Sequence, residues 1–238
     1  MKIAFSGAQC VGKTTLIEDF LKQWPMYELA KNSYRNKAKE DPTVKLNQEG
    51  DEKSQEIIRD SIIDDAQSYS KDDKVIFDRC IFDNLAYSLW LNDKGKVSDN
   101  FINEQIPIIR ESFSLYDIIF FIPITPLHDI PIVESEDGQR DLDPVFRSEI
   151  DHVMKAIVSN YSETDKRVFF PQEQCPAIID HVFGDREQRI ETIKFYVNDQ
   201  GTFFGEEDSL LADIPEPEDA PTLADFDSMD TRKKIVLP

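Results

Sequence analysis

The chain is short of basic residues. Its 238 residues carry 27 Lys and Arg against 47 Asp and Glu, a formal net charge of −20. Such a surface repels nucleic acid and anionic lipid over most of its area, so neither is an expected partner. Cysteine is scarce too: Cys10, Cys80 and Cys175 are odd in number, scattered, and form no C-x-x-C pair. This argues against a disulfide framework or a structural zinc, and fits a reducing cytoplasm. No apolar run approaches the roughly 18 residues a membrane helix needs. Met1-Lys2 leads straight into a short apolar run, so no cleavable leader is expected either. Glycine and proline, at 8 and 13 residues, are too few for low complexity, while 40% hydrophobic residues suffice for one core.

The acidic charge is unevenly placed. Residues 206–230 hold ten acidic side chains and no basic one, and Arg232-Lys233-Lys234 follows. Removing those ten negative and three positive charges from −20 leaves −13 on residues 1–205, an acidic body with room for a basic pocket. Within 206–238, Pro215, Pro217 and Pro221 break up isolated apolar positions (Leu210, Leu211, Leu223, Phe226) that show no sustained period. The expectation is a disordered, flexible acidic tail, a candidate for docking a protein partner.

Upstream of the tail the pattern is regular. Strands are expected at Lys2–Phe5, Lys74–Phe77 and Asp117–Ile124, with a weaker one at Arg167–Phe170. These are short continuous apolar runs, the mark of parallel strands covered on both faces. Helices are expected at Thr14–Gln23, Glu52–Tyr69, Phe82–Leu91, Asp99–Phe113, Pro144–Val158 and Arg186–Val197. Ile57, Ile58, Ile62, Ile63 and Ala66 keep a helical rhythm in the second of these. Alternating β and α units imply an α/β fold of three layers with a mostly parallel sheet.

The first strand is followed by Gly7-Ala8-Gln9-Cys10-Val11-Gly12-Lys13-Thr14-Thr15, a complete G-x-x-x-x-G-K-T phosphate-binding loop that opens into a helix. Glycines let consecutive backbone N–H groups turn inward around a phosphate, and the helix N-terminus adds partial positive charge. In that chemistry Lys13 reaches the β- and γ-phosphates and the Thr14 hydroxyl holds Mg²⁺. Cys10 reads as a small filler whose backbone matters more than its sulfur.

Absent motifs narrow the use of the bound nucleotide. No glycine has an aspartate three residues before it, and the only Asn-Lys pair, Asn36-Lys37, is followed by Ala38-Lys39. A guanine-nucleotide switch is therefore not expected. A motor ATPase needs paired acids at a strand end, and the acids here are single.

Asp78-Arg79, at the carboxyl end of the second long strand, suits a small-molecule kinase instead. Asp78 can bind Mg²⁺ or accept a substrate hydroxyl proton, and Arg79 can hold a phosphate or the substrate. The plainer alternative is that Asp78 only caps the next helix. Asp83 and Ser88 follow, each either touching substrate or lying on helix surface. Residues 125–147 are polar and turn-rich and carry Arg140 and Arg147, with Asp143-Pro144 opening the next helix. They read as a mobile lid that excludes water and neutralises phosphoryl charge, or else as a plain surface loop. Arg140 is the stronger candidate, because Arg147 can pair with Asp143 or Asp151 on its own helix.

Taken together, the phosphate loop, the strand ending Asp-Arg, Asp137-Gly138-Gln139-Arg140, and Asp143-Pro144-Val145-Phe146-Arg147 resemble the nucleoside- and nucleotide-kinase branch of phosphate-loop proteins. The likeness is greatest to the AAA-type domain that forms the kinase part of bifunctional nicotinamide-riboside kinases. Asp78-Arg79-x-x-x-Asp83 is also similar to thymidylate and deoxynucleoside kinases. The resemblance spans roughly residues 1–200 and implies a kinase-like ATP-binding domain over 1–205, with ATP and Mg²⁺ as cofactors. It implies the roles above for Lys13, Thr14, Asp78 and Arg140, and a nucleoside-like small-molecule acceptor. Relatives often carry Glu-x-x-Arg after the second strand; here the stretch is Asn32-Ser33-Tyr34-Arg35, which keeps Arg35 as an acceptor contact and lacks the acid. Phe183-Gly184-Asp185-Arg186 resembles a turn that packs near adenine, or is simply a helix start. Two other functions stay open: an ATP-binding regulatory or adaptor protein using its tail, and a kinase of DNA bases or ends.

Overall fold

Three apolar runs become the middle of the sheet: Lys2–Ser6 (β1), Val75–Asp78 (β3) and Ile118–Phe121 (β4). Two very short strands, Glu28–Leu29 (β2) and Ala177–Ile179 (β5), form its edges. Every pairing is parallel, in the order β2-β3-β1-β4-β5. The computed structural model describes residues 1–31, 33–126, 130–131, 141, 143–163 and 168–203, with side chains for all of these except 33–35. The expected tail at 206–238, Arg140 and most of the expected lid lie outside the described residues.

The helices are Lys13–Gln23 (α1), Ser33–Glu40 (α2), Glu52–Gln67 (α3), Ile81–Asp93 (α4), Asp99–Ser112 (α5), Pro144–Ser162 (α6) and Arg186–Lys194 (α7). The strand period of two sorts them onto the two faces of the sheet. Phe5 pairs in register with Phe120, and their rings stack with centroids 5.4 Å apart. Phe20 of α1 meets Phe5 edge-on at 5.6 Å on that face, and α7 packs beside α1. One residue along, Phe121 points the other way and meets Phe82 of α4 at 5.8 Å. On that face α4 packs against α3, α5 and α6. Such three-layer burial is why β1 and β4 read as continuous apolar runs.

The carboxyl ends of the central strands share one edge, because Phe5 lies beside Asp78 and Ser6 beside Phe121. From β1 the chain crosses to β2 over one face, and from β3 it crosses to β4 over the other. The crevice between the ends of β1 and β3 is therefore the topological switch point, where open α/β sheets bind ligands.

The apolar run at Arg167–Phe170 is not a strand over its described residues, Val168–Phe170. Phe170 is drawn under Phe113 and Tyr161, with ring centroids at 4.6 and 5.2 Å. The Val168 N–H bonds to Asn160 Oδ1 at 3.1 Å, and Pro171 brings no N–H to a ladder. The fifth strand forms later, at Ala177–Ile179, paired to β4.

Asp51 caps α3: its Oδ1 accepts from the Ser54 N–H at 2.9 Å and the Ser54 hydroxyl at 2.7 Å, while Lys45 Nζ lies 2.9 Å from Oδ2. Removing this cap, by Asp51→Ala, is expected to cost about 1 kcal/mol. Thermal melting checks this, with a fall of roughly 3 °C expected. Lys45 first, then Ser54, pulls the Asp51 carboxyl down to about 2 from 3.8. A depressed carboxyl stabilises above its unfolded pKa, so this contribution is present above about pH 4 and is lost as pH falls toward 2.

Candidate active site

The loop Gly7–Thr14 joins β1 to α1 and closes over the switch point. Three of its residues have positive φ: Gly7 at 151°, Cys10 at 57° and Gly12 at 84°. Alternating backbone handedness of this kind turns successive N–H groups to one side and builds an anion nest. A Cβ on Gly7 would stand 2.7 Å from Ile122 O, so only glycine fits there. Gly12 caps α1 without any side-chain bond to the first-turn amides, which leaves the helix N-terminus to serve a ligand.

Lys13 is buried and its Nζ donates to Gly7 O and Ala8 O, both at 2.7 Å. The ammonium thus sits at the centre of the loop. Thr14 is exposed at the start of α1, and Thr15 is half-buried. Gln9 is buried; its Oε1 accepts from the Tyr87 hydroxyl at 3.3 Å, and among the described residues its Nε2 has no hydrogen-bond partner. A buried amide donor left over inside a phosphate loop matches a site built for an oxyanion.

Asp78 ends β3, in register with Phe5, and so stands at the lip of the crevice beside the loop. Arg79 follows with φ of 81°, a rare conformation for a side-chain-bearing residue. Its N–H bonds to Phe5 O at 3.0 Å, which ties the turn to β1. The guanidinium folds back over the Tyr87 ring at 5.5 Å and donates to Gly7 O at 3.3 Å and Asp83 Oδ1 at 2.8 Å.

Asp83 is buried at the third position of α4, and Ser88 is buried too, its hydroxyl bonded to Gln55 Oε1 at 3.2 Å. Neither lies on helix surface. Burial of Cys80, then the nearby Asp83 charge, pushes its thiol up to about 12.

Two buried arginines reach the loop backbone, one from α6 and one from α7. Arg147, in the first turn of α6, donates to Cys10 O at 3.1 Å. Arg189 of α7 donates to Val11 O at 2.7 Å and Gly184 O at 3.0 Å, and burial lowers its pKa. No motif in the sequence marks Arg189 as a loop contact. The one nearby signal was Gly184-Asp185-Arg186, where Asp185 caps α7 in a reciprocal box with Gln188 and Arg186 pairs with Asp19 at 2.6 Å. Arg35 falls in α2, with its side chain outside the described residues. Asp151 fastens the end of β4 by accepting from the Ile124 N–H at 2.8 Å and pairing with Lys155 at 2.6 Å.

A parallel sheet ordered 2-3-1-4-5 with a glycine-cradled lysine after β1 and an Asp-Arg pair at the end of β3 defines a phosphate-loop α/β fold. The family model described as AAA domain matches residues 2–164, and the chain belongs to that family. Similar solved structures include the NadR protein in complex with NAD and AMP-PNP (TM-score 0.55, 14% identity), covering 82% of this chain and 49% of that one. This chain therefore spans about half the length of that protein. Deoxyadenosine kinase from M. mycoides is similar with a TM-score of 0.52 and 17% identity, covering 81% of this chain and 96% of the kinase. Thymidylate kinase from Candida albicans follows with 0.53 and 16%, covering 81% and 88%. No curated protein matches the chain. The resemblance expected from the motifs is thus met in family and in fold. Among the described residues no helix is long and apolar enough to cross a membrane.

Proposed function

We propose that the protein is an ATP-dependent phosphotransferase acting on a small nucleoside, nucleotide or pyridine-nucleotide precursor, in the cytoplasm. The observation that carries this reading is the register of Asp78 beside Phe5, which sets Asp78-Arg79 at the same sheet edge as the Lys13-centred loop. Donor phosphates and an acceptor hydroxyl can then meet across one crevice.

The residues fit the nucleotide. The nest from Gly7 through Thr15 would hold the phosphates, with Lys13 on the β- and γ-groups. Thr14 and Asp78 would hold Mg²⁺, which supplies charge neutralisation on the phosphoryl oxygens. Asp78 also suits the role of base for the acceptor hydroxyl. Arg79 would bind the transferred group or the acceptor, and Arg147 adds positive potential behind the loop. Arg140 remains the proposed lid arginine and Arg35 the proposed acceptor contact.

The donor half of the proposal is tested by binding. A nucleotide at 100 times its Kd stabilises the folded state by about 2.7 kcal/mol. MgATP should therefore raise the melting temperature by roughly 5 °C or more. It should also slow alkylation of half-exposed Cys10 by N-ethylmaleimide, with half-exposed Cys175 as the unaffected control. A flat melting curve with unprotected Cys10 would sink the reading.

A further inference from the structure

Asp83 offers two oxygens with different duties. Oδ2 accepts from the Cys80 N–H at 3.1 Å and the Ser6 hydroxyl at 2.7 Å. The first of these closes a capping box at the start of α4. Because the Ser6 proton goes to Asp83, the Cys80 thiol 3.3 Å away must donate to Ser6 Oγ. This side of the carboxylate is architecture: it welds the end of β1 to the start of α4.

Oδ1 does something a cap does not require. It accepts from Arg79 at 2.8 Å and lies 3.5 Å from the Gly7 N–H. Arg79 in turn donates to Gly7 O at 3.3 Å. Asp83 and Arg79 thereby clamp the first residue of the phosphate loop through both its N–H and its C=O. The turn at Arg79 has positive φ, a conformation costly for a side-chain-bearing residue that the surrounding contacts hold in place.

Charge sharpens the question. A buried carboxylate next to a phosphate loop repels phosphate unless a cation offsets it, and the Arg79 guanidinium 2.8 Å away does so. With Asp83 3% exposed, that charge is weakly screened. Its presence makes sense if the gain is the orientation of Arg79.

Resting on the phosphotransferase reading, we propose that Asp83 is a positioning residue that fixes the Arg79 guanidinium against the phosphate loop for turnover, without touching substrate itself. The Tyr87 ring lies under the guanidinium, 5.5 Å from Cζ.

Asp83→Asn separates the two duties. Its amide oxygen can take over the Oδ2 bonds and preserve the cap, while its NH₂ faces Arg79 and Gly7 as a donor and breaks the clamp. The first readout is NMR of protein carrying isotope-labelled arginine. Arg79 Nη signals are expected to be resolved and slow to rotate in wild type, and averaged in Asp83→Asn. The second is kinetic, with MgATP and deoxyadenosine, thymidine monophosphate or nicotinamide riboside as acceptor. Asp83→Asn should lower kcat about 30-fold with ATP affinity unchanged or tighter. A purely structural carboxylate would lose both together. Guanidinium chloride at low millimolar concentration should restore roughly tenfold activity to Arg79→Gly, and none to Arg79→Gly/Asp83→Asn. Unchanged kcat in Asp83→Asn, a matching loss of ATP affinity, or equal rescue in both backgrounds overturns the proposal. Should Asp83→Asn fail to fold, the wild-type Arg79 Nη signals decide alone: resolved, slowly rotating signals are expected, and rapidly averaged ones overturn the clamp. If wild type phosphorylates none of these acceptors, the functional reading fails, and the Arg79 signals still decide the clamp.

Discussion

Replacing Lys13 by alanine is expected to lower phosphoryl transfer at least about 1,000-fold, or about 4 kcal/mol of transition-state stabilisation. The ammonium lies 2.7 Å from both Gly7 O and Ala8 O, so it is held at the middle of the loop before any ligand arrives. A pre-placed charge costs no reorganisation when negative charge spreads over the phosphoryl oxygens. Lys13→Arg should be nearly as damaging. The planar, longer guanidinium cannot sit between those two carbonyls in a loop this closely packed. Folding should survive in both variants, because α1 buries Leu16, Ile17 and Phe20 independently of Lys13. Initial rates compared with melting curves check this. Full activity in Lys13→Ala would contradict the assignment of the loop.

The second large effect is on the loop backbone. In Gly7→Ala the new Cβ would stand 2.7 Å from Ile122 O and 3.0 Å from Val11 Cγ2, at a φ of 151°. Ile122 cannot yield easily, since its N–H continues the β1–β4 ladder by bonding to Ser6 O at 2.9 Å. The expected cost is about 3 kcal/mol, with a melting temperature lower by roughly 8 °C and loss of stabilisation by ATP. Gly12→Ala should be milder. Its Cβ would meet only side-chain ends, Ile130 Cδ1 at 3.0 Å and the Arg189 guanidinium at 3.1 Å. Gly95→Ala is the control, with nothing among the described residues within 4 Å of its Cβ and only its φ of 69° to strain. Denaturant unfolding should rank the three in that order. Equal stability of Gly7→Ala and Gly95→Ala would refute the close approach.

The central elements were legible because they are locally self-consistent. β1, β3 and β4 are buried on both faces and show as uninterrupted apolar runs. The phosphate loop is contiguous, so its chemistry can be read directly from residues 7–14. Asp78-Arg79 was legible for the same reason, as a polar pair ending a buried run. The edge strands were not. Glu28–Leu29 and Ala177–Ile179 are two and three residues long, too short for any period to appear. Val168–Phe170 has strand-like composition, yet Phe170 spends its ring on Phe113 and Tyr161. Arg147 and Arg189 illustrate the deeper limit. Each is one arginine on a helix, and only the packing of α6 and α7 brings them to the carbonyls of Cys10 and Val11. Asp83 was visible as a candidate, but the split of its two oxygens between helix cap and Arg79 exists only in three dimensions.

The acceptor side can be settled by one assay. Wild-type protein at saturating MgATP is presented in turn with deoxyadenosine, thymidine, their monophosphates and nicotinamide riboside, while ADP release and the mass of each acceptor are followed. At least one acceptor is expected to raise ADP release about 100-fold or more above the acceptor-free rate and itself to gain a phosphoryl group. Slow ADP release at one rate regardless of acceptor, with every acceptor unmodified, would contradict it.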